Sequence, residues 1–424
     1  MGLKPRIAIM QFLQFFIWGS WMMTIAAWWF GTQHWSGAQF GAIFSTMGIA
    51  SLFMPTIAGI IADRWINAEK LYGIFHICGA IMLFIVPYCP SPMAVFWVML
   101  VNMCFFMPTI GLSITISYAS MEEAGMNIVK EYPPVRVWGT IGFIVAMWTV
   151  SLLHFETSPM MFYIAGGAAI LLGIYGFTMP KCPPLGKSTG SWTSVLGLEA
   201  FKLFKSYKMA LFFLFSMLLG GALQLTNAYG DVFLHSFADV PIYKDCIAVK
   251  FPAIIMSISQ MSETFMILLV PFFLRRFGIK KVMMLSMFAW VLRFGLFGFG
   301  TPEAAGGLWM LVLSCIIYGA AFDFFNISGS LYTELNAPPS IRASAQGLFM
   351  FMTNGIGAVI GSSLSGWAIS AFYTTGSGAN QVIQWQGWGG VWVLFAIYSL
   401  IVGILFTLMF KHKHNPAEMT NIHH

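Results

Sequence analysis

Long apolar stretches fill almost the whole of this chain, and this feature limits its fold more than any other. The polar breaks leave about twelve stretches, each close to the roughly 20 residues that a helix needs to cross a bilayer. Only 8% of the 424 residues are charged, whereas a soluble domain has about 25%. We therefore predict an all-α membrane protein with little room for a soluble domain. The predicted spans are residues 7–30, 38–62, 70–88, 93–118, 135–153, 160–179, 209–229, 251–273, 281–299, 307–333, 343–372 and 387–410.

The basic residues predict how these spans are oriented. With both termini placed in the cytoplasm, the inside segments hold sixteen lysines and arginines, and the outside segments hold only Lys244 and Lys250. Such a bias sets the topology of membrane proteins, so both termini are expected on the cytoplasmic side. The same dispersal over short loops explains the net charge of +6 without a nucleic-acid partner. The segment 1–6 runs directly into an apolar span, which predicts no cleaved signal peptide.

The middle of the chain carries the longest cytoplasmic break, which contains five lysines together with Pro, Gly, Ser and Thr residues. We predict a linker at residues 181–208 between a six-helix bundle at 1–180 and a second one at 209–424. The halves echo each other, because a Pro-Pro pair followed by an arginine precedes both the fifth and the eleventh span: Pro133-Pro134 with Arg136, and Pro338-Pro339 with Arg342. Internal repeats of this kind are typical of secondary transporters.

Few ionisable residues lie deep in the predicted spans. They are Glu263, Arg293 and Asp323, with Arg136 at the start of the fifth span. A charge near the bilayer centre costs at least about 2.5–3.5 kcal/mol, so these residues are functional candidates. The two carboxyl groups are the candidate proton carriers, whereas His76, alone among apolar neighbours, is more typical of hydrogen-bonded packing. Arg293 is left outside the site, as a structural partner for a carboxylate or a side chain that reaches toward an interface.

Helical spacing groups these residues with polar and aromatic neighbours on four helix faces. Taken singly, each neighbour is more typical of interhelical hydrogen bonding or aromatic packing. Together, amide, carboxylate and aromatic groups facing one cavity suit a nucleoside, whose sugar and base edges need hydrogen bonds and whose base needs a ring to stack on. The four faces hold Arg136, Thr140 and Phe143; Gln224 and Asn227; Gln260 and Glu263; and Tyr318, Phe322 and Asp323.

One loop resembles a family signature. Gly59-x-x-x-Asp63-Arg64, between the second and third spans, is similar to the loop motif of the major facilitator superfamily. The sequence then departs from that motif, since 65–68 reads Trp-Ile-Asn-Ala where glycine and further basic residues follow in the family. A turn that only obeys the positive-inside rule would also explain this segment.

Longer stretches carry a closer resemblance. Over essentially its whole length the chain is similar to the bacterial NupG-type nucleoside:proton symporters, a family of the major facilitator superfamily. The stretches are Phe12-Leu13-Gln14-Phe15 with Trp18-Gly19-Ser20-Trp21; Arg136-Val137-Trp138-Gly139-Thr140-Ile141-Gly142-Phe143; Ser257-Ile258-Ser259-Gln260 with Ser262-Glu263; Tyr318-Gly319 with Phe322-Asp323-Phe324-Phe325-Asn326-Ile327-Ser328-Gly329-Ser330; and Ile341-Arg342-Ala343-Ser344-Ala345-Gln346-Gly347.

The resemblance implies twelve transmembrane helices in two six-helix bundles and proton-driven uptake of purine and pyrimidine nucleosides across a bacterial inner membrane by alternating access. It implies that Asp323 couples the proton. We expect a monomer with no enzymatic activity, no metal and no cofactor besides the coupled proton; the six cysteines lack CxxC spacing, which fits this expectation. The substrate-binding positions implied by the family are Arg136, Thr140, Phe143, Gln224, Asn227, Gln260, Glu263, Tyr318 and Phe322.

Two alternatives stay open from the residues themselves. A symporter of the same architecture for another polar solute, such as an oligosaccharide, would also use buried amides and aromatic rings. A membrane-embedded enzyme or ligand sensor would need a catalytic constellation or an added signalling domain, and the sequence displays neither.

Overall fold

The computed structural model describes residues 2–184, 198–304, 306–338, 341–375 and 385–412. Residues 185–197 of the predicted linker, and Pro339 of the second Pro-Pro pair, lie outside this part, as do the side chains of Asp63 and Arg342. The main helices are α1 (Leu3–Gly19), α2 (Gly37–Arg64), α3 (Ala68–Ile85), α4 (Pro92–Glu123), α5 (Ile128–Leu152), α6 (Met160–Gly176), α7 (Tyr207–His235), α8 (Pro252–Phe299), α9 (Leu308–Asn336), α10 (Arg342–Met350, continued through the π-helical segment Phe351–Gly357 into Ala358–Phe372) and α11 (Trp385–Met409).

The described helices confirm a multi-pass membrane protein. Nine of those in the described ranges are long and apolar enough to cross a bilayer, and α6 is a shorter apolar helix. The helix α8 has 48 residues and contains two of the predicted spans. The backbone leaves the helical conformation between these spans, at Gly278, with φ 77° and ψ 166°. Glycine adopts this conformation at little cost. The total of twelve spans stays a prediction, as does the division into bundles at residues 181–208.

Short polar residues set the beginnings of two helices. Ser36 Oγ accepts a hydrogen bond from the Gln39 N–H (3.4 Å) at the start of α2. Ser91 Oγ accepts one from the Ala94 N–H (3.3 Å) at the start of α4, where Pro92 is the first helical residue. Both arrangements satisfy an N–H that the helix leaves unpaired, which explains why the polar breaks in the sequence coincide with helix ends.

The first predicted span, residues 7–30, is not one continuous helix. The helix α1 ends at Gly19, and a turn leads into Ile25–Ala27 and the π-helical segment Trp28–Thr32. Close packing against α5 accompanies this break. A Cβ on Gly19 would lie 2.5 Å from the Phe143 carbonyl oxygen. Small residues allow such close helix contacts in membranes.

The Gly142→Ala substitution is expected to destabilise the protein. An added Cβ would lie 2.1 Å from the Phe12 carbonyl oxygen, so α1 and α5 must separate. Overpacking of this kind costs about 1–3 kcal/mol, and we expect a lower thermal midpoint in detergent. Gly167→Ala is the matched control, because nothing lies within 4 Å of its Cβ position. Equal midpoints for both variants would contradict the close contact between α1 and α5.

Two pairs of helices from the two parts of the chain meet closely at one end of the molecule, which we call the sealed end. There α2 packs on α10 through glycines, and a Cβ on Gly41 would lie 2.2 Å from the Ser362 carbonyl oxygen. Similarly, α5 meets α8, and Trp148 Nε1 donates to Ser257 Oγ (2.8 Å). Toward the opposite end, Gly111 and Gly347 face open space.

Candidate functional site

A cavity of about 880 Å³ lies between helices of both parts of the chain. Its size is within the range of small-molecule sites. The helices α1, α2, α4 and α5 contribute one wall, and α7, α8, α9 and α10 contribute the other. Gly111 and Gly347 are both part of its lining and have open space beside them. The cavity therefore opens away from the sealed end.

The structure brings all nine predicted substrate residues to this cavity. They come from four helices that are far apart in the chain, and their common location is the geometry that a binding site requires. Their role in binding stays a prediction. The nine lining residues are Arg136, Thr140, Phe143, Gln224, Asn227, Gln260, Glu263, Tyr318 and Phe322.

The α5 wall presents a cation held by an aromatic ring. The Arg136 guanidinium carbon lies 4.1 Å from the centre of the Phe15 ring, a typical cation–π distance. Phe143, one turn beyond Thr140, meets Trp18 edge-on with 6.3 Å between ring centres. These contacts with α1 orient the α5 side chains toward the cavity.

The α7 wall presents two amides whose oxygens have no partner among the described residues. Gln224 Oε1 and Asn227 Oδ1 are both buried without a hydrogen bond. Buried polar atoms in proteins are nearly always paired. Both residues line the cavity, and their unpaired oxygens lie just beneath its surface.

On the same wall as α7, the helices α8 and α9 combine a ring pair with an amide and a carboxylate. On α9, Tyr318 and Phe322 stack with their ring centres 5.8 Å apart and their planes at 8°. On α8, Gln260 and Glu263 are three residues apart and share a face, and the Tyr318 hydroxyl contacts Gln260. The arrangement offers flat apolar surface directly beside hydrogen-bonding groups.

Asp323 differs from the other predicted site residues, because it is not part of the cavity lining. Its side chain is 4% exposed, and its Oδ2 atom has no hydrogen-bond partner in the described part of the chain. It nevertheless lies within electrostatic range of Glu263, and Glu263 lies within range of Arg136 on the α5 wall, although no ion pair joins them among the described residues. A buried carboxyl group is thus linked electrostatically to the polar wall.

Other lining residues were not predicted from the sequence. Phe15 and Trp18 come from the α1 stretch that supported the family resemblance, yet that stretch was not used to predict the cavity. On α10, Asn354 lies in the π-helical segment, and such segments are frequent at functional sites. In the sequence, the signal that could have predicted this part of the cavity is Asn354 itself, a lone asparagine in an apolar span.

His76 lies away from the cavity in a buried network. Its Nε2 is 2.8 Å from Gln14 Oε1, which also accepts a hydrogen bond from the Tyr72 hydroxyl (2.7 Å). Gln14 Nε2 donates to Thr109 Oγ1 (2.9 Å). These contacts fit the interpretation of His76 as a hydrogen-bonded packing residue.

A cluster at the sealed end has the composition of a metal site. Glu156, Asp231 and His235 each offer a donor atom, and these atoms lie within 4.8 Å of one another. Two of them are already engaged: Glu156 Oε2 is 2.9 Å from His235 Nε2, and Glu156 Oε1 accepts from the Ala253 N–H (3.1 Å). Since Ala253 is the second residue of α8, Glu156 caps a helix from the other part of the chain. The cluster therefore joins the two sides of the sealed end through its own contacts.

A helical membrane protein with a polar cavity between helices of its two parts has the general architecture of a secondary transporter. The chain matches the family model described as Nucleoside H+ symporter over residues 1–415. It belongs to this nucleoside H+ symporter family, as the sequence resemblance predicted.

Relatives and solved structures agree with this assignment. The chain is 50% identical to the xanthosine permease of Escherichia coli K12, over 99% of this chain and 98% of that protein. It is 49% identical to the nucleoside permease NupG of the same organism, over 98% and 97%. A crystal structure of the nucleoside transporter NupG superposes with a TM-score of 0.89, at 49% identity and over 97% of this chain and 100% of that one. The major facilitator fold is confirmed, and the family consists of transporters rather than enzymes.

Proposed function

We propose that this protein imports nucleosides together with protons across a bacterial inner membrane by alternating access. The observation that carries the proposal is the convergence of nine polar and aromatic residues from four helices on one cavity of about 880 Å³. Relatives at about half identity are a nucleoside permease and a xanthosine permease, which supports nucleosides as the substrate class.

The cavity wall suggests how a nucleoside would be held. Phe322 and Tyr318 present a stacked pair of rings against which the base would pack. The unpaired oxygens of Gln224 and Asn227 would accept hydrogen bonds from sugar hydroxyls or base amino groups. Glu263 would accept further hydrogen bonds, and those made to a charged acceptor are the stronger ones.

Asp323 is the proposed proton site. An unpaired buried carboxyl group is costly to charge. A conformational change that alters the surroundings of Asp323 would therefore alter its affinity for the proton. Because Glu263 interacts with both Asp323 and Arg136, a change of charge at Asp323 alters the field at the binding wall. A proton shifts the equilibrium between two states only if it binds them with different affinity.

The open side of the cavity would face the cytoplasm. The positive-inside rule places the Arg64 end of α2 and the Arg342 end of α10 inside, so the sealed end at Gly41 and Ser362 would face outward. On this proposal both termini are cytoplasmic, and the structure corresponds to the state that releases its substrate into the cell.

Uptake of labelled nucleosides into proteoliposomes tests this function. We expect concentrative uptake when an inward proton gradient is imposed, equilibration only without it, and competition by unlabelled nucleosides but not by maltose or other oligosaccharides. Uptake that ignores the proton gradient would overturn the coupling. Competition by an oligosaccharide alone would overturn the substrate class.

The Trp148→Phe substitution is expected to loosen the sealed end. It retains an aromatic ring but removes the hydrogen bond to Ser257 Oγ (2.8 Å) between α5 and α8. Loss of one such bond corresponds to about 1 kcal/mol, so the outward-open state should become severalfold more populated. The measurement is the rate at which a membrane-impermeant maleimide, added from outside, labels Ser362→Cys in a background without other cysteines.

Trp97→Phe supplies the control for this experiment, because Trp97 is 57% exposed on α4. It should leave the labelling rate unchanged. Slower labelling in Trp148→Phe, or a rate equal to that of the control, would show that this hydrogen bond does not hold the sealed end closed.

A further inference from the structure

Arg293 is a buried cation that forms no ion pair within the described ranges of the chain. Its side chain has 0% exposure, and it is not part of the cavity lining. A buried charge without a charged partner is costly unless hydrogen bonds and polarisable groups compensate for it, so its surroundings determine what it does.

Hydrogen bonds fix the guanidinium in three directions. Nη1 donates to the Ser314 carbonyl oxygen (2.6 Å), Nε to Thr226 Oγ1 (3.3 Å) and Nη2 to Ser259 Oγ (3.4 Å). Ser314 Oγ donates back to the Arg293 carbonyl oxygen (2.9 Å). The cation is therefore hydrogen-bonded to α7, to the part of α8 that precedes Gly278, and to α9. These three contacts leave it little freedom to move.

The same guanidinium lies against an aromatic ring of the cavity wall. Its central carbon is 4.7 Å from the centre of the Tyr318 ring and 5.1 Å from that of Phe297. Tyr318 lines the cavity, stacks on Phe322 and contacts Gln260. Because Arg293 itself does not line the cavity, it can affect a bound solute only through residues that do, and Tyr318 is the lining residue that its guanidinium contacts.

We propose that Arg293 is a positioning residue that holds Tyr318 in the orientation needed to bind the nucleoside base. This inference rests on the proposed function. Cation–π attraction is strongest where water is excluded, and the three hydrogen bonds place the charge before any substrate arrives. Without the guanidinium, the Tyr318 ring loses a fixed neighbour and gains torsional freedom that binding would have to remove.

The proposal is tested by a double-mutant cycle, with the dissociation constants of uridine and adenosine measured by calorimetry. Arg293→Gln should weaken binding about tenfold in the parent, which lies between the effects of an exposed and a desolvated cation–π contact. In a Tyr318→Leu background the same substitution should weaken binding less than about twofold, because residues that act through each other are not additive. Arg293→Lys should be intermediate, since it keeps the charge but loses the planar fork.

Uptake kinetics supply a second readout. Arg293→Gln should raise KM while Vmax per folded carrier stays within about twofold, because the loss is one of binding. An unchanged KM with reduced Vmax overturns the proposal, as does an equal loss of affinity in the parent and in the Tyr318→Leu background. Failure of the parent itself to bind either nucleoside counts against the proposed function instead.

A milder pair of substitutions covers the case in which Arg293→Gln does not fold. Thr226→Val with Ser259→Ala keeps the cation and removes two of the hydrogen bonds that its guanidinium donates. We expect about threefold weaker binding in the parent, in line with loss of weak hydrogen bonds, and no further loss beside Tyr318→Leu. Equal losses in both backgrounds would again overturn the assignment.

Discussion

Asp323→Asn is expected to abolish concentrative uptake while leaving nucleoside binding intact. The substitution keeps the size and polarity of a side chain that is 4% exposed, but it removes the carboxyl group that we propose binds and releases the proton. Without a titrating group the proton gradient cannot favour one state over the other. The ratio of inside to outside nucleoside in proteoliposomes should therefore fall to about one, while calorimetry gives an affinity at least equal to that of the parent.

Asp245→Asn is the matched control, because Asp245 is exposed and pairs with Lys250 (2.8 Å) outside the cavity. It should accumulate nucleoside like the parent. Accumulation against a gradient by Asp323→Asn would show that Asp323 does not couple the proton. Glu263, the neighbouring acidic residue, would then be the candidate for this role.

Glu263→Gln is expected to weaken nucleoside binding by about ten- to a hundredfold. A hydrogen bond to a charged group contributes about 1.5–3 kcal/mol, which corresponds to this range of affinity. The substitution also leaves Arg136 without the carboxylate with which its charge interacts. Calorimetric titration of the purified protein measures the loss, and Gln260→Ala, which removes the neighbouring amide of the same face, should show a smaller one.

Glu122→Gln provides the comparison for this titration, since Glu122 lies at the exposed end of α4 and is not part of the cavity lining. Its affinity should equal that of the parent. If Glu263→Gln also binds with unchanged affinity, the nucleoside does not contact the α8 wall, and the site lies elsewhere in the cavity.

Asp323 and Glu263 are expected to influence each other electrostatically. Arg136 and Glu263 are on opposite sides of the cavity, and Glu263 also interacts with the buried Asp323. A nucleoside bound at Glu263 would change the electrostatic environment of Asp323, and a proton on Asp323 would change that of Glu263. Linkage requires that this influence be reciprocal, so the affinity for nucleoside in the Asp323→Asn variant should no longer depend on pH as it does in the parent.

Properties that depend on neighbouring residues in the chain could be predicted from the sequence. The bilayer demands long apolar helices and biases basic residues to one side, which is why the membrane class and the approximate spans follow from local composition. Helical spacing also determines that Gln260 and Glu263 share a face, as do Tyr318 and Phe322. The family could be recognised because its motifs are short continuous stretches.

Properties that depend on contacts between distant residues required the tertiary structure. The end of α1 at Gly19 lies where Phe143 approaches closely, and the surroundings of Arg293 come from Thr226, Ser259 and Ser314. Local periodicity places a side chain on a helix face, but which faces meet is decided by packing between helices. For that reason the sequence alone identified the polar and aromatic candidates of this transporter, whereas only the fold decided that nine of them share one cavity and that Asp323 lies outside its lining.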